Sequence, residues 1–139
     1  MILLDTNVLS AVTQETPDQS VTAWLDRQPN ESIWITAVTL MELRFGLHIM
    51  PKGHRRNLLV QATTILLEEK IQGRIASFNI AAAEQAAELM AVRKTKGRMM
   101  DSRDTMIAGI ALATRATLAT RNTSHFSDLS VPVVNPWNS

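Results

Sequence analysis

The sequence predicts an α/β domain: a mostly parallel five-stranded sheet with helices on both faces. Two observations carry that prediction. Short apolar or β-branched runs recur along the chain, namely MILLD, SIWITA, RIASF, ATLAT and VPVVNP, and between them lie longer segments with helical spacing. Strands that alternate with helices put crossover helices over both sheet faces, and strands so covered read as nearly unbroken apolar runs.

Each element has a local reason. MILLD, residues 1–5, predicts a short buried strand ending at Asp5, with Thr6 or Asn7 as the cap of a short helix behind it. TPDQSVTAWLDRQ predicts a second short helix, capped by Asp18 or Ser20, with Val21, Trp24 and Leu25 on one face. SIWITA is the second strand. It leads into AVTLMELRFGLHIM, a long helix with Val38, Met41, Leu43, Phe45, Leu47 and Ile49 as apolar positions and Glu42 as its interior acid. Pro51 and Gly53 punctuate a turn, after which RRNLLVQATTILLEEKIQ resumes as the second arm of a helical hairpin.

RIASF is the third strand, bounded by Gly73 and Asn79. The alanines and glutamates of IAAAEQAAELMAVRKTKG favour a helix, with basic residues in its last turns and Gly97 as its terminator. RMMDSRD is a loop, and SRDTMIAGIALATR a helix so apolar that most of it must be buried. ATLAT is the fourth strand. VPVVNP is the fifth, at a sheet edge where proline is tolerated.

The 139 residues suit one domain, 1–139, able to bury roughly 68–70% of its unfolded surface. With 45% hydrophobic and 19% charged residues, no long disordered segment is expected. The chain has no cysteine, which excludes disulfides and thiolate metal sites and fits a reducing cytoplasm. No run of about 18 apolar residues and no basic N-terminal region predicts a membrane span or secretory leader, so the expected location is cytoplasmic, away from membranes. A net charge of +1 leaves any polyanion binding to local clusters. Two are present: Lys52, His54, Arg55 and Arg56, then Arg93, Lys94, Lys96, Arg98 and Arg103.

Most of the thirteen acids fit solvated helix faces, Glu68, Glu69, Glu84 and Glu88 among them. Three do not. Asp5 ends a buried strand, Glu42 interrupts an apolar helix, and Asp104 opens another. Each has an ordinary structural explanation, as a helix cap, an exposed-stripe acid or a dipole partner. Together, however, they sit where a doubly wound sheet brings side chains to one cleft beyond the strands' carboxyl ends. Like charges about 4 Å apart repel by roughly 4 kcal/mol at an effective dielectric of 20, so convergence calls for a shared proton or a divalent cation. Oxygen ligands point to Mg²⁺, with Mn²⁺ as a substitute.

LLDTNVLS at the start, TLMELRFGL after the second strand, DSRDTMIAGIALA, ATLATRNTSHF and the closing VVNPW together resemble the PIN-domain ribonucleases of bacterial toxin–antitoxin operons, VapC toxins and their FitB-like relatives. The resemblance spans essentially the whole chain, with all motifs in order. It implies a catalytic set of Asp5, Glu42, Asp104 and Asn122, with Asp5 and Asp104 as the principal ligands of Mg²⁺. Asn122 stands where many members carry a fourth acid, and its amide oxygen can still accept from a bound water. Thr6 and Thr120 are implied to orient carboxylates or waters, with backbone capping the alternative for Thr6. Arg121 is open between substrate phosphate and structural pairing.

Asp101 reads as a helix cap and His125 as a loop or surface histidine with no ligand partner at suitable spacing. The family further implies a structured RNA substrate, transfer RNA among the candidates, whose cleavage inhibits translation. It also implies a homodimer and a small VapB- or FitA-like antitoxin whose tail blocks the cleft, with higher assembly on operator DNA through that antitoxin. Lys94, Lys96, Arg98 and Arg103, preceding Asp104, are expected nearest the cleft. Two other readings compete: a haloacid-dehalogenase-type phosphatase, disfavoured because Asn7 replaces its second acid, and a non-catalytic PIN-like module that binds RNA or protein.

Overall fold

The computed structural model describes residues 1–138. Five strands, β1 (Ile2–Leu4), β2 (Ile33–Thr36), β3 (Ile75–Ala76), β4 (Thr117–Ala119) and β5 (Val133–Val134), pair in the order β3-β2-β1-β4-β5. All four pairings are parallel. The chain runs outward from β1 through β2 to β3, then returns to place β4 on β1's other side. Strand order therefore reverses between β1 and β4, where such sheets open a crevice.

Six α-helices connect the strands among the described residues: α1 (Thr6–Thr13), α2 (Gln19–Asp26), α3 (Ala37–Ile49), α4 (His54–Ile65), α5 (Ile80–Thr95) and α6 (Ser102–Thr114). Asp18 is the cap of α2, accepting the Val21 N–H at 3.1 Å. Thr36, the last residue of β2, caps α3 by accepting the Thr39 N–H at 3.0 Å. No loop therefore separates β2 from α3, and Glu42 stands roughly 8 Å along the helix axis from its start. The second arm of the hairpin departs from the expected single helix: beyond α4, residues Leu66–Ile71 are wound as a π-helix.

Adjacent strand residues point to opposite faces, and each face has its own core. Leu3 and Leu118 pack with Ile107, Ile110 and Ala111 of α6 and Ala82 and Leu89 of α5. Leu4, Ile33, Ile35 and Ala119 pack with Val8 and Leu9 of α1, Val21, Trp24 and Leu25 of α2, and Ile71. Of the apolar positions expected on α3, Val38 and Leu47 are buried. Met41, Phe45 and Ile49 are exposed, as are Leu58 and Ile65 on α4, so the hairpin carries more apolar surface than this chain covers.

Helices α5 and α6 approach closely at Gly109. A methyl group there would stand 2.5 Å from the Ala82 carbonyl oxygen and 2.8 Å from the Ala86 Cβ. The obstacle is backbone and cannot rotate away. Gly109→Ala should therefore destabilise the fold by about 1–3 kcal/mol in urea unfolding, although alanine is intrinsically the better helix former. Equal or greater stability would show that the two helices separate at little cost.

Candidate active site

Asp5 follows β1 with extended backbone, φ −72° and ψ 160°, and its Oδ1 accepts the Thr6 N–H at 2.8 Å. The expected cap, Thr6 or Asn7, is thus replaced by the acid itself. Its other oxygen faces across the strand-order reversal: Thr120 Oγ1, just beyond β4, donates to Oδ2 at 2.8 Å, and Asn7 Nδ2 donates at 3.3 Å. Thr120 is fully buried and Asp5 is 5% exposed. One carboxylate both starts α1 and ties the two central strands together.

With Asp5 capping, the Thr6 hydroxyl is available elsewhere, and it donates to Glu42 Oε1 at 2.8 Å. Arg103 Nη1 lies 3.7 Å from the other Glu42 oxygen. Both threonines therefore orient carboxylates. The Thr120 hydroxyl also accepts from Asn7 Nδ2 at 3.3 Å and from the Asn122 N–H at 3.0 Å, so its one donor and two acceptor sites are all engaged.

Asp104 lies in the first turn of α6, partly exposed, with His125 Nδ1 3.1 Å from its Oδ2. His125 is an exposed loop residue, as its sequence context suggests, but it is not unpartnered. The 3₁₀ turn Thr123–Phe126 that carries it brings it against Asp104, a contact across 21 residues that sequence spacing does not reveal. Asp101 is the α6 cap, its Oδ1 accepting the Arg103 N–H at 2.8 Å.

Asp5, Glu42, Asp104 and Asn122 line a single open cleft of about 510 Å³ together with Asp18, Arg121 and Trp137. Burial raises the Asp5 carboxyl above its ordinary value; hydrogen bonds from Thr120 and Thr6 oppose this, and repulsion from Asp104 adds to it. Glu42 is also raised, chiefly by burial; the bond from Thr6 opposes this, repulsion from Asp5 and Asp104 adds to it, and the pull of Arg103 opposes it. Asp5 thus feels the charge of Asp104, and Glu42 that of both.

The basic residues are distributed differently from expectation. Arg93 is buried and structural: Nε and Nη2 each meet an Asp128 carboxylate oxygen at 2.9 Å, Nη2 also donates to the His125 carbonyl at 2.9 Å, and Nη1 donates to Thr105 at 3.3 Å. Lys94, Lys96 and Arg98 are exposed but do not line the cleft, and only Arg103 of that group reaches its acids.

The family model of the PIN domain matches residues 2–131. The chain belongs to the PIN-domain family, alongside the VapC and FitB toxins. It is 39% identical over 137 residues to VapC ribonuclease Y4jK of Sinorhizobium fredii, covering 99% of this chain and 98% of that one. It is 36% identical over 138 residues to Toxin FitB of Neisseria gonorrhoeae, covering 99% of both. Its fold matches a chain in the solved structure of FitAB bound to an IR36 DNA fragment with a TM-score of 0.89 and 35% identity, covering 99% and 96% of the two chains.

Within this PIN domain the donor set suits a hard cation. Asp5 is buried, repelled by Asp104, and has no ion-pair partner among the described residues. Among those residues no three acid or histidine side chains gather closely enough to hold one ion between them. Carboxylate oxygens are the donors that a hard divalent cation takes, one or two from the protein and the rest from water.

A carboxyl whose folded value is raised favours the folded state most when protonated, and that contribution fades as pH rises through the folded value. Asp5→Asn should therefore melt above wild type at pH 7–8 in chelator, by thermal circular dichroism. The gap should close as pH falls below the ordinary carboxylate value of 3.8. A variant that melts lower at pH 7 would mean that the Asp5 hydrogen bonds outweigh its buried charge.

Proposed function

We propose that this protein is a Mg²⁺-dependent endoribonuclease toxin of a toxin–antitoxin module, hydrolysing phosphodiester bonds of structured RNA, transfer RNA among them, and so inhibiting translation. The observation that carries the reading is the buried, unpaired Asp5 facing Asp104 and Glu42 in one open cleft. The names of the relatives, a VapC ribonuclease and a FitB toxin, support the reaction class.

Asp5 and Asp104 would hold the ion, directly or through its waters, and Mn²⁺ would substitute. A bound divalent ion lowers the pKa of water and neutralises charge developing on phosphate oxygens. Glu42, held by Thr6 and with its proton affinity raised, is suited to take the proton of an attacking water. Thr120 fixes the second oxygen of Asp5 and keeps that carboxylate turned toward the cleft. Asn122, anchored by its backbone to the same hydroxyl, presents its amide at the cleft wall and completes the four-residue set without a fourth charge. Attack by water leaves a 5′-phosphate and a 3′-hydroxyl.

The exposed apolar residues of α3 and α4 support a protein partner, either a second copy or an antitoxin of the VapB or FitA type. The solved assembly of FitAB with a DNA fragment favours such an antitoxin; in this reading its tail would lie over the cleft and operator DNA would bind through it. A cytoplasmic site of action follows from an RNA target.

The test is sequencing of 5′-phosphate RNA ends after brief induction of the protein without antitoxin. Discrete new ends are expected, absent with Asp5→Ala and reduced by about 10–100-fold with Thr120→Val, which leaves the acid in place but removes its support. New ends that persist in Asp5→Ala would defeat the reading. Growth arrest without new ends would instead favour a non-catalytic binding module.

A further inference from the structure

Among the described residues the cleft is lined by four acids, Asp5, Asp18, Glu42 and Asp104, and by a single cationic side chain, Arg121. A polyanionic substrate must approach through that field. Arg103 is already engaged by Glu42 and Asp101, whereas the Arg121 guanidinium has no ion pair or hydrogen bond among the described residues. It lies instead over the Trp137 ring, 5.0 Å from the centroid. This stack leaves the in-plane N–H fork unused.

Both members of the stack are fixed. The backbone N–H of Arg121 donates to Asn7 Oδ1 at 3.1 Å, and its neighbours Thr120 and Asn122 are tied to Asp5 and to each other. Trp137 packs against the core beneath α1 and α2, and its backbone N–H donates to Asn135 Oδ1 at 3.0 Å. An exposed arginine is normally mobile. Here its starting point and the ring that its guanidinium lies over are both set relative to the acids.

We propose that Arg121 is the RNA-phosphate contact of this cleft, its guanidinium plane held ready by Trp137 to receive a backbone phosphate flanking the bond that is cut. This rests on the ribonuclease reading above and settles the open choice for Arg121 in favour of substrate. A planar fork engages two phosphate oxygens at once, which a lysine cannot do. The contact carries no base information, so it serves any RNA that reaches the cleft.

The test measures binding of a fluorescein-labelled 20-nucleotide RNA of mixed sequence by anisotropy, on an Asp104→Asn background in EDTA, across roughly 50–200 mM salt. Arg121→Ala should weaken binding about tenfold and lower the slope of log affinity against log salt by about 0.7. Arg121→Lys should keep the slope and still lose affinity. Trp137→Leu should weaken binding as Arg121→Lys does, whereas Trp137→Phe, which keeps an aromatic face, should bind nearly as wild type; melting curves check that both fold.

Wild-type affinity and salt slope in Arg121→Ala would overturn the proposal, all the more if that variant lost affinity for an acidic protein segment instead. The two readings fail separately. A protein that cuts RNA normally while Arg121→Ala binds normally refutes only the arginine contact. One that binds RNA through Arg121 yet cuts none in Mg²⁺ refutes only the nuclease.

Discussion

The hydrogen bond from the Thr120 hydroxyl to Asp5 Oδ2 is the interaction on which the site depends. It spans the point where strand order reverses, joining the ends of β1 and β4 across 115 residues of sequence. Burying a carboxylate beside other acids is unfavourable, and the fold offsets that cost with neutral donors. Thr6, Asn7 and Thr120 all donate to Asp5, and none of them is a cation. The negative charge is solvated by the protein but not cancelled, and the divalent ion proposed above would find it so.

A second consequence is a relay of roles among short polar side chains. Because Asp5 caps α1, the Thr6 hydroxyl turns to Glu42; because Thr120 serves Asp5, it can also seat Asn122 through that residue's backbone. Three site residues, Asp5, Glu42 and Asn122, from three chain segments are coupled through two hydroxyls. The Arg93 cluster performs the same task on the opposite wall: a buried guanidinium clamps Asp128 and the His125 carbonyl, and thereby places the loop that presents His125 to Asp104. The side chain that resembled part of a polyanion-binding run is a structural pin instead.

Strand and helix order was legible because the β-branched and apolar runs are short and the helical segments long. The departures follow from forces that local pattern does not contain. RIASF reads as five strand residues, yet only Ile75 and Ala76 pair, because β3 is an edge strand with a single neighbour. Met41, Phe45 and Ile49 read as core positions, but none of the described residues covers them and they stay exposed. Arg93 and His125 could not be assigned from sequence, since each depends on a partner at least 21 residues away.

By itself the sequence determined that a carboxylate ends β1, another interrupts the helix after β2 and a third opens the helix before β4. It also determined that no thiol competes with them and that the strands alternate with helices. Those are properties of residue type and of local period, which the chain carries before it folds. Only the tertiary structure decided that the three acids share a cleft, that neutral donors and not cations solvate the buried one, and that Arg121 lies over Trp137 with its guanidinium free of hydrogen bonds among the described residues. The physical reason is that a charge's environment is set by what long-range packing brings within a few ångströms of it, and no period in the sequence encodes that distance.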